Sequence, residues 1–286
     1  MKFWQSLAFV ELDQLVELAQ FCEELGFYGV SYGDHLVTTK EQIDQYLYTD
    51  DGNILWNPET HWPDLWVASA ALAQVTSKLK FLSTIFVLPL REPVSVAKAL
   101  STAAVLSNNR ITLGVGVGWQ KAEFEMVDQD FHTRGKRTDE MLEILPGLLS
   151  GKLFEHHGKY YDIPPVQMSP GTTEPLPIMV GGYSEAAMRR ASRFDGWMAV
   201  LHEEQELYPL IDSLNRIRAQ EGSAGKPFDI WTGLKNPGDG THERLEEAGV
   251  TMVNGVNFLD DDGKTTLMSL DDKKRRLEAF AQQFLV

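Results

Sequence analysis

The chain is poor in the residues that most often carry disulfide or metal chemistry. It has a single cysteine, Cys22, so no intrachain disulfide can form, and the position of Cys22 on the apolar side of a predicted helix indicates packing. None of the 7 histidines forms a His-x-x-x-His pair, and His156 and His157 are neighbours, which point to opposite faces of a strand. We therefore expect no metal site.

Positive charge and long apolar runs are also scarce. Lys and Arg number 26 against 41 Asp and Glu, and the net charge of −15 repels nucleic acid backbones and anionic membrane surfaces. No uninterrupted apolar stretch reaches the roughly 18 residues of a membrane-spanning helix. The composition predicts a cytoplasmic protein that binds neither nucleic acid nor a membrane.

Several catalytic motifs are missing as well. The sequence has no Gly-x-Ser-x-Gly elbow and no Walker-type phosphate loop, which argues against hydrolases and nucleoside triphosphatases. No lysine is well placed at a strand end, so an aldolase-like or isomerase barrel is disfavoured. Redox chemistry by a bound cofactor remains.

What is present is a regular alternation of short β-branched runs and longer segments of helical periodicity, which is typical of parallel strands joined by crossover helices. This predicts an α/β fold, a (β/α)8 TIM barrel, as a single domain over residues 1–286. Two long connections, 37–62 and 151–175, are expected to cover the carboxyl-terminal mouth of the barrel. The eight predicted strands are 3–9, 28–32, 79–87, 111–117, 177–180, 196–200, 228–234 and 252–258.

The first candidate site follows the second predicted strand, where barrel enzymes place catalytic groups. Histidine as a residue type titrates near neutral pH, so His35 is suited to exchange protons, and Asp34 beside it is suited to orient a neighbouring group. The alternative is that both residues only begin a loop and cap backbone groups. Arg91, after the third predicted strand, is a candidate for a salt bridge or for an anion contact at the barrel mouth.

Two glycine-containing turns are further candidates. Gly114, Gly116 and Gly118 alternate along one strand, which lets either a planar ring or a bulky side chain approach the backbone, and Trp119 follows as a pocket wall. The spacing does not fit the dinucleotide fingerprint. The segment Val180-Gly-Gly-Tyr-Ser184 is a strand, a glycine pair and a helix start, which fits either a phosphate site or a plain turn with a serine cap.

Together these segments resemble the luciferase-like monooxygenase superfamily, particularly its branch of oxidoreductases that use the deazaflavin coenzyme F420. The resemblance covers roughly residues 1–200, and the motifs occur in the family's order. They are Gly26-Phe27, Asp34-His35, Val87-Leu-Pro-Leu-Arg91, Leu113-Gly-Val-Gly-Val-Gly118-Trp119 with Glu123-Phe124, Arg134-Gly-Lys-Arg137-Thr-Asp139-Glu140, Val180-Gly-Gly-Tyr-Ser184-Glu-Ala-Ala187 and Asp195-Gly-Trp197.

The resemblance implies a barrel that binds coenzyme F420 or FMN, with His35 as the catalytic residue near the reactive face of the ring. It also implies a non-prolyl cis peptide bond behind the ring, which we place at Thr84-Ile85. Some relatives have a glutamate near the position of Trp119; this chain does not, and Glu123 lies one turn further on. The implied cofactor contacts are Asp34, Thr84, Ile85, Gly116, Gly118 and Trp119 for the ring, and Gly181, Gly182 and Ser184 for the phosphate.

Three functions follow from this resemblance. The first is hydride transfer between a reduced flavin-type cofactor and a small organic substrate, with coenzyme F420 favoured over FMN from the similarity of the middle segments. The others are an FMN monooxygenase that uses oxygen, and a barrel that binds a flavin without catalysis. Relatives are usually homodimers, so a dimer is expected. Residues 46–62, rich in aromatic and acidic side chains, form either a lid over the substrate or a surface or oligomer contact.

Overall fold

The computed structural model describes residues 1–44, 52–54, 56, 58–258 and 268–285. All eight predicted strands are present, the third as two short strands, and an additional hairpin brings the described strands to 11. They are β1 Lys2–Ser6, β2 Gly29–Tyr32, β3 Lys80–Ser83, β4 Phe86–Val87, β5 Ile111–Gly116, β6 Leu153–His157, β7 Asp162–Gln167, β8 Ile178–Gly181, β9 Gly196–His202, β10 Asp229–Leu234 and β11 Met252–Asn254.

Helices connect most of these strands and lie around the sheet. Proline and glycine mark their ends as the sequence predicts: Pro93 begins one helix, and Gly26, with φ of +90°, caps another. The helices are α1 Leu15–Leu25, α2 Lys40–Asp44, α3 Leu65–Ala73, α4 Pro93–Leu106, α5 Lys121–Met126, α6 Arg134–Leu149, α7 Glu185–Ala191, α8 Glu204–Gln220, α9 Thr241–Glu247 and α10 Leu270–Phe284.

The main sheet closes on itself. Its strands are parallel and run in the order β3-β2-β1-β11-β10-β9-β8-β5-β4, and β3 also pairs with β5 through Phe81 opposite Ile111. Because β3 and β4 occupy the same place beside β5, the ring contains eight strand positions. This is the predicted (β/α)8 barrel.

Burial explains why these sequences form inner strands. Every residue of β2 and β5 is buried, as expected where helices cover one face and the barrel interior the other. Bulky side chains fill that interior, so the space available to a ligand lies above them, at the carboxyl ends of the strands. The interior cluster consists of Trp4, Leu82, Met179, Met198, Trp231 and Met252.

The two long connections lie in different places. Trp56 and Trp62 of the first line the barrel mouth, whereas no residue of 151–175 does so. The second connection forms the antiparallel hairpin of β6 and β7, which packs outside the barrel on α6, with the ring of Phe154 against Gly147. It does not cover the mouth, contrary to our expectation.

Two smaller expectations can also be compared with the structure. Cys22 is fully buried, and burial raises the pKa of its thiol, so it is the packing residue that the sequence predicts. None of the described helices is long and apolar enough to span a bilayer.

Candidate active site

A cavity of about 550 Å³ opens at the carboxyl ends of the barrel strands. Its volume falls within the roughly 300–1,000 Å³ that small-molecule sites occupy. Every site residue predicted from the sequence lines it except Ser184. Those that line it are Asp34, His35, Thr84, Ile85, Gly116, Gly118, Trp119, Gly181 and Gly182.

His35 stands at the end of β2 and is held by a glutamate. Its Nδ1 atom lies 3.1 Å from Oε2 of Glu123, whose side chain is only 2% exposed. The other oxygen of Glu123 accepts the backbone N–H of Leu36 at 2.7 Å. Nε2 of His35 has no hydrogen-bond partner within the described ranges, and the imidazole lines the cavity. The ring is therefore fixed from behind, with its second nitrogen available to a ligand.

A second group competes for Nδ1 of His35. The amide Nε2 of Gln42 lies 3.3 Å from that atom, and its orientation is set because Oε1 of Gln42 accepts the backbone N–H of Thr39. Nδ1 either donates to Glu123 or accepts from Gln42, because one nitrogen of the neutral ring cannot do both. The contact with the carboxylate is shorter and charge-assisted, and it satisfies a buried anionic oxygen. We therefore place the proton on Nδ1, which leaves Nε2 as the acceptor of the neutral ring.

Glu123 is the residue that sequence reasoning missed. Its place one turn beyond Trp119 suggested a group outside the site, yet α5 folds back so that the carboxylate reaches the residues after β2. Glu123 is buried among neighbours such as the fully buried Phe124, and a buried carboxylate requires donors. The sequence feature that could have identified Glu123 was a glutamate on the predicted buried face of a short helix.

Asp34 has a structural role, unlike its neighbour His35. Its carboxylate accepts the backbone N–H of Val87 at 2.8 Å and makes a bidentate pair with Arg91 at 2.5 and 2.9 Å. The Asp34 side chain is 5% exposed and that of Arg91 is 22% exposed, so the pair is largely desolvated. Asp34 thus ties the end of β2 to the segment after β4, and Arg91 forms the salt bridge that was one of its two predicted roles.

The floor of the cavity contains the predicted cis peptide bond at Thr84-Ile85. Ile85 lies on two glycines of neighbouring strands: a Cβ atom on Gly116 would stand 1.8 Å from Cδ1 of Ile85, and one on Gly181 would stand 2.9 Å from Cγ2. Two possible neighbours were predicted for the glycine-rich strand, a planar ring or a bulky side chain. At Gly116 the neighbour is a bulky side chain, that of Ile85. Ile85 thereby presents an apolar surface at the base of the cavity.

The predicted phosphate turn follows β8. Gly182 has φ of +121°, which glycine adopts readily, and its carbonyl accepts the indole N–H of Trp197 at 2.8 Å. Ser184 is the N-cap of α7, and its Oγ accepts the backbone N–H of Ala187 at 3.2 Å. The hydroxyl of Ser184 retains its own hydrogen to donate, and Gly181 and Gly182 line the cavity beside it.

The rim opposite His35 is polar, and no sequence motif predicted it. His202 ends β9, four strand positions from β2 around the ring of eight. Its Nδ1 atom lies 3.3 Å from the Glu206 carboxylate, while its Nε2 atom is buried and has no partner among the described residues. Hydrogen bonding, first from the backbone of Glu203 and then from His202, lowers the pKa of Glu206, so this carboxylate is ionised at neutral pH. Lys235 and Asn257 line the same part of the cavity.

The chemistry of the cavity fits a flavin-type cofactor. An apolar floor formed by Ile85 suits a flat ring, and the polar rim suits a hydroxylated chain. The Ser184 hydroxyl, at the start of α7 and next to Gly181 and Gly182 of the cavity wall, is suited to donate a hydrogen bond to a phosphate. Within the described ranges, no group of three or more His, Cys, Asp or Glu residues is arranged to hold a metal ion.

Comparison with known proteins agrees with this architecture. The model of the luciferase-like monooxygenase family matches residues 4–248. An uncharacterised protein of Mycobacterium tuberculosis strain H37Rv is 37% identical over 289 aligned positions, which cover 100% of this chain and 99% of that protein. Because the family model spans most of the sequence, the chain belongs to the luciferase-like monooxygenase family.

Two solved structures share the fold over nearly their whole length. The coenzyme F420 dependent tetrahydromethanopterin reductase of Methanopyrus kandleri has a TM-score of 0.75 at 15% identity, with 99% of this chain and 98% of that chain covered. The monooxygenase RslO1 of Streptomyces bottropensis has a TM-score of 0.74 at 18% identity, with 100% and 99% covered. At these identities the likeness is one of fold.

Proposed function

We propose that this protein is an oxidoreductase that uses a flavin-type cofactor and acts on a small organic substrate, with His35 exchanging the proton. The observation that carries the proposal is the His35-Glu123 pair, whose free Nε2 atom belongs to a ring that lines the cavity. When bound in its reduced form, the cofactor supplies a hydride. With the cofactor as hydride donor to a carbonyl carbon, the doubly protonated His35 ring would give its Nε2 proton to the carbonyl oxygen and return to the neutral form with its proton on Nδ1.

The residues of the chain bind and orient in this scheme. Ile85, held on Gly116 and Gly181, supports the ring from below. Gly182 and Ser184 form the end that receives the phosphate, with the Ser184 hydroxyl as donor. Glu123 holds His35 in one orientation and one tautomer.

Coenzyme F420 is our first candidate for the cofactor, with FMN as the alternative. The reductase of Methanopyrus kandleri, which covers this chain almost completely, is described as F420 dependent, whereas RslO1 is described as a monooxygenase. Purified protein should be titrated with F420 and FMN in parallel by ring fluorescence. Selective binding of F420 supports hydride transfer, selective binding of FMN supports the monooxygenase alternative, and binding of neither would overturn the proposal.

Turnover separates catalysis from mere binding of the cofactor. General acid-base groups contribute about 10²- to 10⁴-fold, so His35→Ala should lower turnover by that factor while cofactor affinity changes little. His132→Ala is the matched control, because His132 is exposed and does not line the cavity. A fully active His35→Ala variant would remove the proposed role. Stoichiometric cofactor binding without turnover across a broad donor and acceptor panel would instead indicate a binding protein.

A further inference from the structure

Three indole rings surround His35, and Phe9 packs against two of them. These four side chains form what we call the aromatic box: Phe9, Trp56, Trp62 and Trp119. All four line the cavity. The His35 ring lies 4.9 Å from Trp62, 5.5 Å from Trp56 and 6.2 Å from Trp119, measured between centroids. The box is therefore built around the imidazole ring that our proposed function assigns to proton exchange.

The members of the box also contact one another. Phe9 stacks on Trp56 at 5.8 Å and meets Trp62 edge-on at 5.3 Å, and Trp56 meets Trp62 edge-on at 5.2 Å. These are the offset and edge-to-face arrangements that aromatic pairs prefer. Contacts within the box fix its shape before any ligand arrives.

The backbone is adapted to this arrangement at two positions. Phe9 has φ of +66°, a conformation that residues other than glycine rarely adopt, and it places the ring in the box. At Gly33, a Cβ atom would stand 2.9 Å from the Trp62 ring, so only glycine lets that indole lie this close to the chain. The indole N–H of Trp56 donates to Thr38 at 3.1 Å, which fixes its orientation.

The charged groups nearest the box are already paired. Glu123 is held by His35 and Leu36, and Asp34 is held by Arg91. Of the cavity residues that the structure describes, the other charged side chains, Glu206 and Lys235, lie on the rim that also contains His202. A charged ligand in the box would be desolvated without a countercharge, which is costly.

We propose that the aromatic box is the substrate subsite and that the substrate is a flat, uncharged ring compound with a carbonyl or hydroxyl group at its edge. This inference rests on the proposed function, because it takes His35 as the group that meets the oxygen. A flat face packs well on indole and phenyl rings that line a cavity, and an uncharged body loses little hydration on entering it. The oxygen at the edge is the one polar atom for which the box provides a partner: Nε2 of His35 accepts from a hydroxyl group when the ring is neutral and donates to a carbonyl oxygen when the ring is doubly protonated.

Three probes of similar size test the proposal by calorimetry on the protein loaded with whichever cofactor binds. They are 1-tetralone, a flat ring ketone; trans-1-decalone, its saturated counterpart; and 1-naphthoate, a flat anion. We expect 1-tetralone to bind about 3- to 10-fold more tightly than the decalone, the margin that aromatic contacts contribute beyond buried area. Tighter binding of 1-naphthoate than of 1-tetralone would overturn the proposal.

Substitutions in the aromatic box test whether 1-tetralone binds there. Trp62→Leu and Trp56→Leu should each weaken 1-tetralone binding about 3- to 10-fold, and Trp62→Phe, which keeps an aromatic face, should restore most of it. Tyr160→Leu, outside the cavity, is the control and should have no effect. Thermal unfolding of each variant confirms folding. Unchanged affinity in both folded leucine variants would refute the assignment.

Riboflavin binding tests whether the aromatic box belongs to the substrate subsite or to the cofactor site. Titrated into the cofactor-free protein, it should bind wild type and Trp62→Leu equally. An equal loss of riboflavin and 1-tetralone affinity would assign the box to the cofactor ring and overturn the inference. If neither F420 nor FMN binds but 1-tetralone binding depends on Trp62, the proposed function fails while the subsite stands.

Discussion

The substitution Glu123→Gln, which replaces one buried carboxylate oxygen by an NH₂ group, tests how Glu123 positions His35. Glu123→Gln keeps the size and shape of the side chain and one acceptor oxygen, and when that oxygen accepts the N–H of Leu36 an NH₂ group lies opposite Nδ1 of His35. If the NH₂ group faces the ring, it cannot accept the Nδ1 proton. The imidazole must then carry its proton on Nε2, as it also would by accepting from Gln42. Glu123 acts through His35 and is a positioning residue.

The size of the effect follows from the bond that is lost. A hydrogen bond to a charged group contributes about 1.5–3 kcal/mol, and about 1.4 kcal/mol corresponds to one factor of ten in rate. We expect Glu123→Gln to lower turnover about 10- to 150-fold with cofactor affinity nearly unchanged.

The tautomer can be measured without a substrate. Nitrogen-15 NMR of the imidazole rings distinguishes a protonated Nδ1 from a protonated Nε2, and the His35 signal is assigned by its absence in His35→Asn. In the wild type we expect the neutral His35 ring to carry its proton on Nδ1, and in Glu123→Gln to carry it on Nε2. A wild-type ring protonated on Nε2, or undiminished turnover in Glu123→Gln, would refute the reasoning.

Three further perturbations address stability. Asp34→Ala should lower the free energy of unfolding by about 3 kcal/mol in urea titrations, the low end for a broken buried pair, because Arg91 keeps some exposure. Gly116→Ala should lower the free energy of unfolding by about 1–3 kcal/mol, since its methyl group would overlap the side chain of Ile85. Burial lowers the pKa of His242 below its usual 6.5, so the unfolded chain binds the proton more readily and stability should fall as the pH drops through 6.5.

Matched controls accompany these measurements. Asp34→Asn keeps an acceptor and should cost less than Asp34→Ala, and Ile85→Val, which lacks Cδ1, should partly rescue Gly116→Ala. His242→Phe should lessen the loss of melting temperature between pH 7.5 and 5.5. Hydrogen bonding to Asp162 raises the pKa of the exposed His157, so its contribution has the opposite sign and is lost as the pH rises. Equal acid sensitivity of wild type and His242→Phe would contradict the argument.

Local chemistry in the sequence was sufficient for much of the fold. Alternating β-branched and helical segments gave all eight barrel strands, because strand and helix periodicity are properties of adjacent residues. Pro93 and Gly26 marked helix ends through their own backbone preferences. The hairpin of β6 and β7 was missed, since its exposed strands lack a buried face that would give an apolar pattern.

The candidate site, like the fold, was predictable from the sequence only in part. Strand ends point to His35, Gly116 and Gly181, because the carboxyl ends of parallel strands meet at one face of a barrel. The partner of His35 is Glu123, 88 residues further along the chain, and no local pattern links them. Likewise, Phe9 and Trp62 meet only after the chain closes into a ring. The sequence determined which strands form and where they end, and tertiary packing decided which side chains meet above them, because such contacts depend on closure of the whole barrel.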